Sequence, residues 1–407
     1  MSNTGLKRSI TFPKLLFYGL GTMVGGGFYA LLGEVAGEAG WVTPLAFLFA
    51  GILALINAFT YGELSSRFPV SAGEVQYVKE AFKKKSISFV VGWVVIATGV
   101  VSAATLVVAT IGFLQDVVVF PESLGIVLLV VIMGSISIWG IGESVWTVLI
   151  ITFIEVGALI YVAFIASNNL QNISEVTSQF TTSSFDIFLL TGILSGAFLG
   201  FYAFIGFEDM ANMAEEVKKA KRSLPKAMLG SVILTTLIYV IVSTFAILSV
   251  SPEELAKAST PLARVVEGAG NSSKAFLTAV SILTGINGAL VQIIMASRVL
   301  YGMGKKSESL AVFSQVHSKT QTPIKATLMA VAIILVLALF FPLRGLAEAT
   351  SGIILFLFAL LNLALLKIKK TVPIVSEGTV TYPSWIAMLG LVICLGMLVF
   401  KLWTSII

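Results

Sequence analysis

Cysteine, histidine and charge are all scarce in this sequence. The 407 residues contain one Cys and one His, and only 12% are charged. A lone Cys394 excludes a disulfide scaffold and a Cys-based zinc or iron–sulfur site. A lone His317 cannot supply the several ligands a metal needs, so no metal or cofactor is expected. A membrane enzyme would cluster His or Asp with catalytic spacing at one face, and no such cluster is readable, so no catalytic set is assigned. Basic residues are scattered among short segments, not gathered into a groove, which argues against nucleic acid. The opening MSNTGLKRSITFPKLLFYG has no convincing small-residue cleavage site, so the first apolar segment is expected to stay as a membrane helix.

What the chain has in abundance is apolar surface. Hydrophobic residues make up 57%, and the mean hydropathy is +0.99. A single soluble core stops growing at about this length, whereas a bilayer acts as solvent for helix exteriors. The pattern predicts an all-α integral membrane protein with eleven spans: 14–38, 42–66, 87–115, 121–140, 144–166, 187–212, 225–250, 274–300, 324–342, 346–366 and 384–404. Region 252–270 opens with a Ser-Pro-Glu-Glu cap pattern and predicts a short amphipathic surface helix.

With the N-terminus taken as cytoplasmic, only Lys257, Arg264, Lys274, Arg344 and Lys401 of the 26 Lys and Arg fall outside. That asymmetry fits the positive-inside rule and leaves the C-terminus external, as in a multi-pass cell-membrane protein. The loop between spans 4 and 5 carries only Glu143 and decides nothing.

Two spans should break. Span 1 holds Gly25, Gly26 and Gly27 in a row at mid-membrane, where helix packing would want small residues every fourth position. Consecutive glycines let the backbone unwind, and unwound backbone at that depth must line a cavity or be satisfied internally. Span 6 is interrupted by Gly196, Gly200 and Gly206, followed by Glu208 and Asp209. Adjacent carboxylates there must face protein or water. Interrupted helices at matching positions of two halves point to an inverted-repeat transporter.

The residues GTMVGGGFYALLG (21–33), YGELSSRFPVSAGEVQYV (61–78), FYAFIGFEDMANMAEEVKKAKRSLPKAM (201–228) and INGALVQIIMASRVLYGMGKK, with a later VHSKTQTP, carry a resemblance. They resemble the amino acid–polyamine–organocation superfamily of secondary transporters. The resemblance implies an inverted five-plus-five helix repeat with broken helices 1 and 6, repeat one at 14–166, repeat two at 187–366, and one extra C-terminal helix at 384–404. Members usually have twelve helices, so one fewer is expected here. It implies alternating access driven by H+, by Na+ or by counter-exchange.

The resemblance puts the substrate-binding loop at Gly25, Gly26 and Gly27, and gives the substrate ammonium to carbonyls around Met23 and around Ala203 to Phe204. Thr22 is either a polar neighbour or a cap on its own helix turn, and Gly206 marks the second break. Tyr202 matches the family's gating aromatic, and Glu208 matches a gating Glu. The helix physics agrees, because an unwound break exposes N–H groups to a carboxylate and C=O groups to an ammonium. Tyr202 and Phe204 line a hydrophobic subsite or pack as ordinary helix residues. With no acid clearly placed for a second cation, neutral amino acids are favoured over other amines.

Glu155 lies midway along span 5, where some proton-coupled relatives carry a Lys. Its carboxyl suits either a coupling role or a structural latch. Arg67 and Glu63 are expected to form an ion pair at the end of span 2. Lys218 to Arg222 meets anionic membrane lipid, closes an inner vestibule, or is a plain charged loop. Oligomeric state is not readable. An ion channel and a non-transporting nutrient sensor remain as alternatives. The first would want a filter or a continuous polar pore, neither of which the sequence displays.

Overall fold

The computed structural model describes residues 8–70, 73–140, 145–167, 187–305, 307–371 and 376–406, with backbone alone at 145–148 and 187–188. Glu143 lies outside the described residues. The described chain is helical, and its one isolated β-bridge joins Ile10 to Val217. Span 1 is divided into α1 (Phe12–Met23) and α2 (Gly26–Ala39). Then come α3 (Thr43–Arg67), α4 (Gly73–Phe82), α5 (Lys85–Gln115), α6 (Glu122–Trp139) and α7 (Val145–Ala166). Span 6 is α8 (Ile187–Gly200) followed by 3-10 turns at Phe201–Phe204 and Phe207–Met213. The remainder is α9 (Ala220–Ser249), α10 (Pro252–Lys257), α11 (Pro261–Val265), α12 (Asn271–Gly304), α13 (Ile324–Phe340), α14 (Leu343–Thr371) and α15 (Ser384–Ile406).

Among the described residues, nine helices are long and apolar enough to cross a membrane, with α2 and α3 counted together as Gly26–Arg67; α13 is shorter. The outward faces are apolar: Leu128 and Ile132 on α6, Phe153, Ile160 and Phe164 on α7, and Val392, Val399 and Leu402 on α15 are all exposed. Such faces need lipid as their solvent. The most extensive helix pairings are α3 with α9 and α5 with α12.

The expected surface helix at 252–270 is in fact two. Ser251 caps the first, its side chain accepting from the Glu254 N–H at 3.3 Å. Pro261 forces the preceding residue out of helical geometry, and α11 restarts after it.

Two polar clusters tie the helices together. At one end of the bundle, the fully buried Glu63 carboxylate accepts from Arg67 at 2.8 and 2.9 Å, from Lys369 of α14 at 2.8 Å, and from the Tyr382 N–H at 2.8 Å. A buried carboxylate is tolerated only with this degree of satisfaction. At mid-bundle, Asn362 of α14 donates to Asn57 Oδ1 of α3 at 2.7 Å and accepts from Thr60 at 2.6 Å. Cys394 of α15 lies 3.5 Å from the same Asn57 oxygen.

Candidate functional site

The break in span 1 takes in Val24 and the first glycine of the triplet. Helix α1 ends at Met23, Val24 and Gly25 leave helical geometry, and Gly26 opens α2. The first N–H groups of α2 have no acceptor within their own helix and carry its positive end. The break in span 6 centres on Gly206, whose φ of +130° excludes an ordinary side chain. A Cβ there would also lie 2.6 Å from the Thr22 carbonyl oxygen. Glycine is therefore what lets the two breaks touch. Thr22 Oγ1 lies 3.0 Å from both the Gly19 and the Gly206 carbonyl oxygens, and its one proton serves either.

Between the breaks is a cavity of about 60 Å³, room for about two waters at roughly 30 Å³ each. Gly21, Thr22, Met23, Gly25, Gly26 and Gly27 form one wall, and Tyr202, Ile205 and Asp209 another. Ser102 and Leu106 of α5 and Asn287, Gly288, Val291 and Gln292 of α12 complete it. An anion-favouring helix N-terminus thus shares a small space with a carboxylate and two amide side chains.

Tyr202 is locked over this space. Its hydroxyl donates to the Ser102 carbonyl at 3.1 Å and lies 3.0 Å from Ser102 Oγ, so the serine can donate in return. That pair bridges the broken helix to α5.

The other expected site residues distribute unevenly. Ala203 and Phe204 do not line the cavity. The Phe204 ring packs 5.1 Å from that of Tyr239, and the Ala203 carbonyl lies 3.0 Å from the Tyr239 hydroxyl. The same hydroxyl lies 2.6 Å from the Met23 carbonyl. Glu208 turns away from the cavity and accepts from the Gly206 N–H at 2.9 Å, capping the break. Its neighbour Asp209 is the acid that faces the cavity.

Glu155 is buried behind the span 1 break, outside the cavity wall. A Cβ on Gly25 would lie 3.9 Å from Glu155 Oε1. Tyr29 of α2 donates to the Glu155 backbone carbonyl at 2.8 Å. One turn earlier, Thr152 packs directly on Gly21. Helix α7 thus places Glu155 beside the unwound peptide.

Sequence reading missed Tyr239, Ser102, Asn287 and Gln292, and did not single out Asp209 as a cavity residue. A signal existed for some: INGALVQIIM places two amides in an otherwise apolar stretch of span 8. Tyr239 in LTTLIYVIV reads as an ordinary aromatic until its partners are known.

Comparison with known proteins places the chain. A family model described as amino acid permease matches residues 10–405. The chain is 30% identical over 391 residues to cationic amino acid transporter 3, mitochondrial, of Arabidopsis thaliana, covering 90% of this chain and 63% of that protein. It is 26% identical over 392 residues to the branched-chain amino acid permease BcaP of Bacillus subtilis, covering 90% and 82%. It is 26% identical over 403 residues to human cationic amino acid transporter 4, covering 92% and 62%. The chain spans roughly three fifths of the length of these cationic transporters. Two broken helices meeting at a small polar cavity within an apolar bundle accord with that likeness, and this multi-pass membrane protein belongs to the amino acid permease family of the amino acid–polyamine–organocation superfamily.

Proposed function

We propose that the protein is a secondary transporter of amino acids that works by alternating access. The observation that carries this is the single cavity shared by the α2 N-terminus and the Gly206 break. A free amino acid brings a carboxylate for the first and an ammonium for the wall beside the second, which includes Asp209. The pairing of α3 with α9 and α5 with α12, spans 2 with 7 and 3 with 8, supports an inverted repeat of 14–166 on 187–366. Tyr202 is the gate: releasing Ser102 would free its ring to swing from over the cavity. Glu208 braces the same break. The reading takes the lysine-rich ends as cytoplasmic, with eleven spans and an external C-terminus; cysteine-accessibility labelling at both ends overturns it if they lie on the same side.

The test is uptake by proteoliposomes of labelled alanine, leucine and lysine, each competed by its enantiomer. Saturable, stereoselective uptake of at least one is expected. Non-saturable flux with a large single-channel current would establish a pore instead.

A second reading concerns the substrate side chain. Asp209, Asn287 and Gln292 in the cavity wall favour a side chain bearing a cation over the neutral one that sequence favoured. The relatives named for cationic amino acids accord with it. Lysine uptake that survives a large excess of leucine would support it, and inhibition of lysine uptake by leucine at equal concentration would count against it.

A further inference from the structure

On the perimeter of the bundle, α5 and α14 leave an apolar trough of about 520 Å³ between them. Its walls include Phe89, Val90, Trp93 and Ala97 on α5, and Ile353 and Phe356 on α14. Phe89 and Trp93 meet edge to face at 6.4 Å, which stiffens one wall. An apolar outward face is ordinary in this protein. The end of this one is not.

Lys85, Phe89, Trp93 and Ala97 recur every fourth residue, so the α5 wall runs straight into Lys85. Phe356, Leu360, Leu363 and Lys367 follow the same helical stripe, so the α14 wall runs into Lys367. The two lysine ends converge. The Lys367 ammonium lies 4.6 Å from the Phe82 ring centroid, and Phe82 is followed directly by Lys83, Lys84 and Lys85. Among the described residues, none of these four lysines is ion-paired with a carboxylate. Glu80, the acid nearest to them in sequence, accepts from Gln76 at 2.8 Å.

We propose that this trough binds one anionic phospholipid, with an acyl chain along α5 and α14 and the phosphate among Lys84, Lys85 and Lys367. From Phe89 to Ala97 is about 12 Å of helix, close to the roughly 15 Å depth of one hydrocarbon leaflet. A chain lying there brings its phosphate level with the lysines. Basic pockets between membrane helices favour anionic headgroups in this way. Five residues beyond Ala97, Ser102 lines the central cavity on the same helix, so an occupied trough backs the cavity wall.

The experiment is native mass spectrometry of the full chain in detergent, titrated with phosphatidylglycerol or phosphatidylcholine of matched acyl chains. One tightly held phosphatidylglycerol per chain is expected, with much weaker phosphatidylcholine. K84Q/K85Q/K367Q should weaken the phosphatidylglycerol adduct by about fivefold per lysine removed. Ala97→Trp, which fills the trough and leaves the lysines in place, should also lose it. Circular dichroism and gel filtration check that each variant is folded. Equal retention of both lipids by the wild type overturns the proposal. So does an unchanged preference in the triple variant, or displacement of the lipid by inorganic phosphate, since that would mean a headgroup site without a chain.

Discussion

The Tyr239 hydroxyl lies 2.6 Å from the Met23 carbonyl oxygen and 3.0 Å from that of Ala203. One phenol proton therefore serves the last helical peptide before the first break and a peptide within the second. Removing it in Tyr239→Phe keeps the ring stacked on Phe28, 4.1 Å away, but frees both carbonyls. One hydrogen bond of this kind contributes about 0.5–1.5 kcal/mol. Substrate affinity should fall by roughly two- to tenfold, with little change in expression, as read by equilibrium binding in detergent. Unchanged affinity would remove Tyr239 from the site.

Gly26 has no room for a side chain. A Cβ there would sit 2.7 Å from Leu106 Cδ2 and 3.2 Å from the Gly285 Cα. Gly26→Val should destabilise the fold by about 1–3 kcal/mol through overpacking, and, because Gly26 also lines the cavity, substrate binding should weaken. In the wild type, the free amino acid should bind far better than its amide, because the α2 N-terminus addresses a carboxylate. Equal affinity for acid and amide would reject that role.

Glu155 lies beside Gly25, behind the cavity. If its carboxyl couples substrate movement to an ion, Glu155→Gln should abolish gradient-driven accumulation in proteoliposomes while substrate exchange continues. Proton and sodium gradients imposed separately identify the ion. A variant that still accumulates substrate with the same ion dependence leaves Glu155 as a structural contact only.

Glu74 offers a pH test outside the apolar helices. It is buried on α4, and burial pushes its carboxyl pKa above the ordinary 4.5, against smaller downward pulls from its backbone hydrogen bond and the Tyr61 hydroxyl. The folded protein thus holds this proton more tightly than the unfolded chain does. Stability from this group is complete below pH 4.5 and is lost as pH rises through the folded-state value. Glu74→Gln should therefore melt above the wild type at neutral pH, by about 1.4 kcal/mol per pH unit within that window. The difference should vanish near pH 4.5. A gap that is constant with pH would exclude titration as its cause.

What could be read from the sequence was whatever a local run of residues determines alone. Three consecutive glycines mark a break because no helix-packing pattern needs them, and the chain unwinds within two residues of the triplet. Gly206 was legible for a similar reason. The side chains facing the cavity were less so. Glu208 and Asp209 are neighbours, and only the 3-10 turn after Gly206 decides which one caps the backbone and which one faces the cavity. Tyr239 acts on a peptide 216 residues away, and Asn57 meets a partner 305 residues away. Neither contact leaves a periodic trace. The split of the 252–270 region follows from Pro261, a local signal that was present but not used.

The cluster around Asn57 and Asn362 bears on how the protein is made. Helices enter a membrane in chain order, and α15 is the last to arrive among those described. It meets the bundle through a narrow stripe of Ala387, Gly390, Cys394 and Met397. A Cβ on Gly390 would lie 2.6 Å from Asn362 Oδ1, so this glycine is what seats the helix over the amide. Until then the Asn362 amide, though already joined to Asn57 and Thr60, has one edge uncovered, in a chain whose central cavity is already complete. A nascent protein stalled at that stage would keep a pair of amides at the edge of its bundle, and the docking of α15 would cover them.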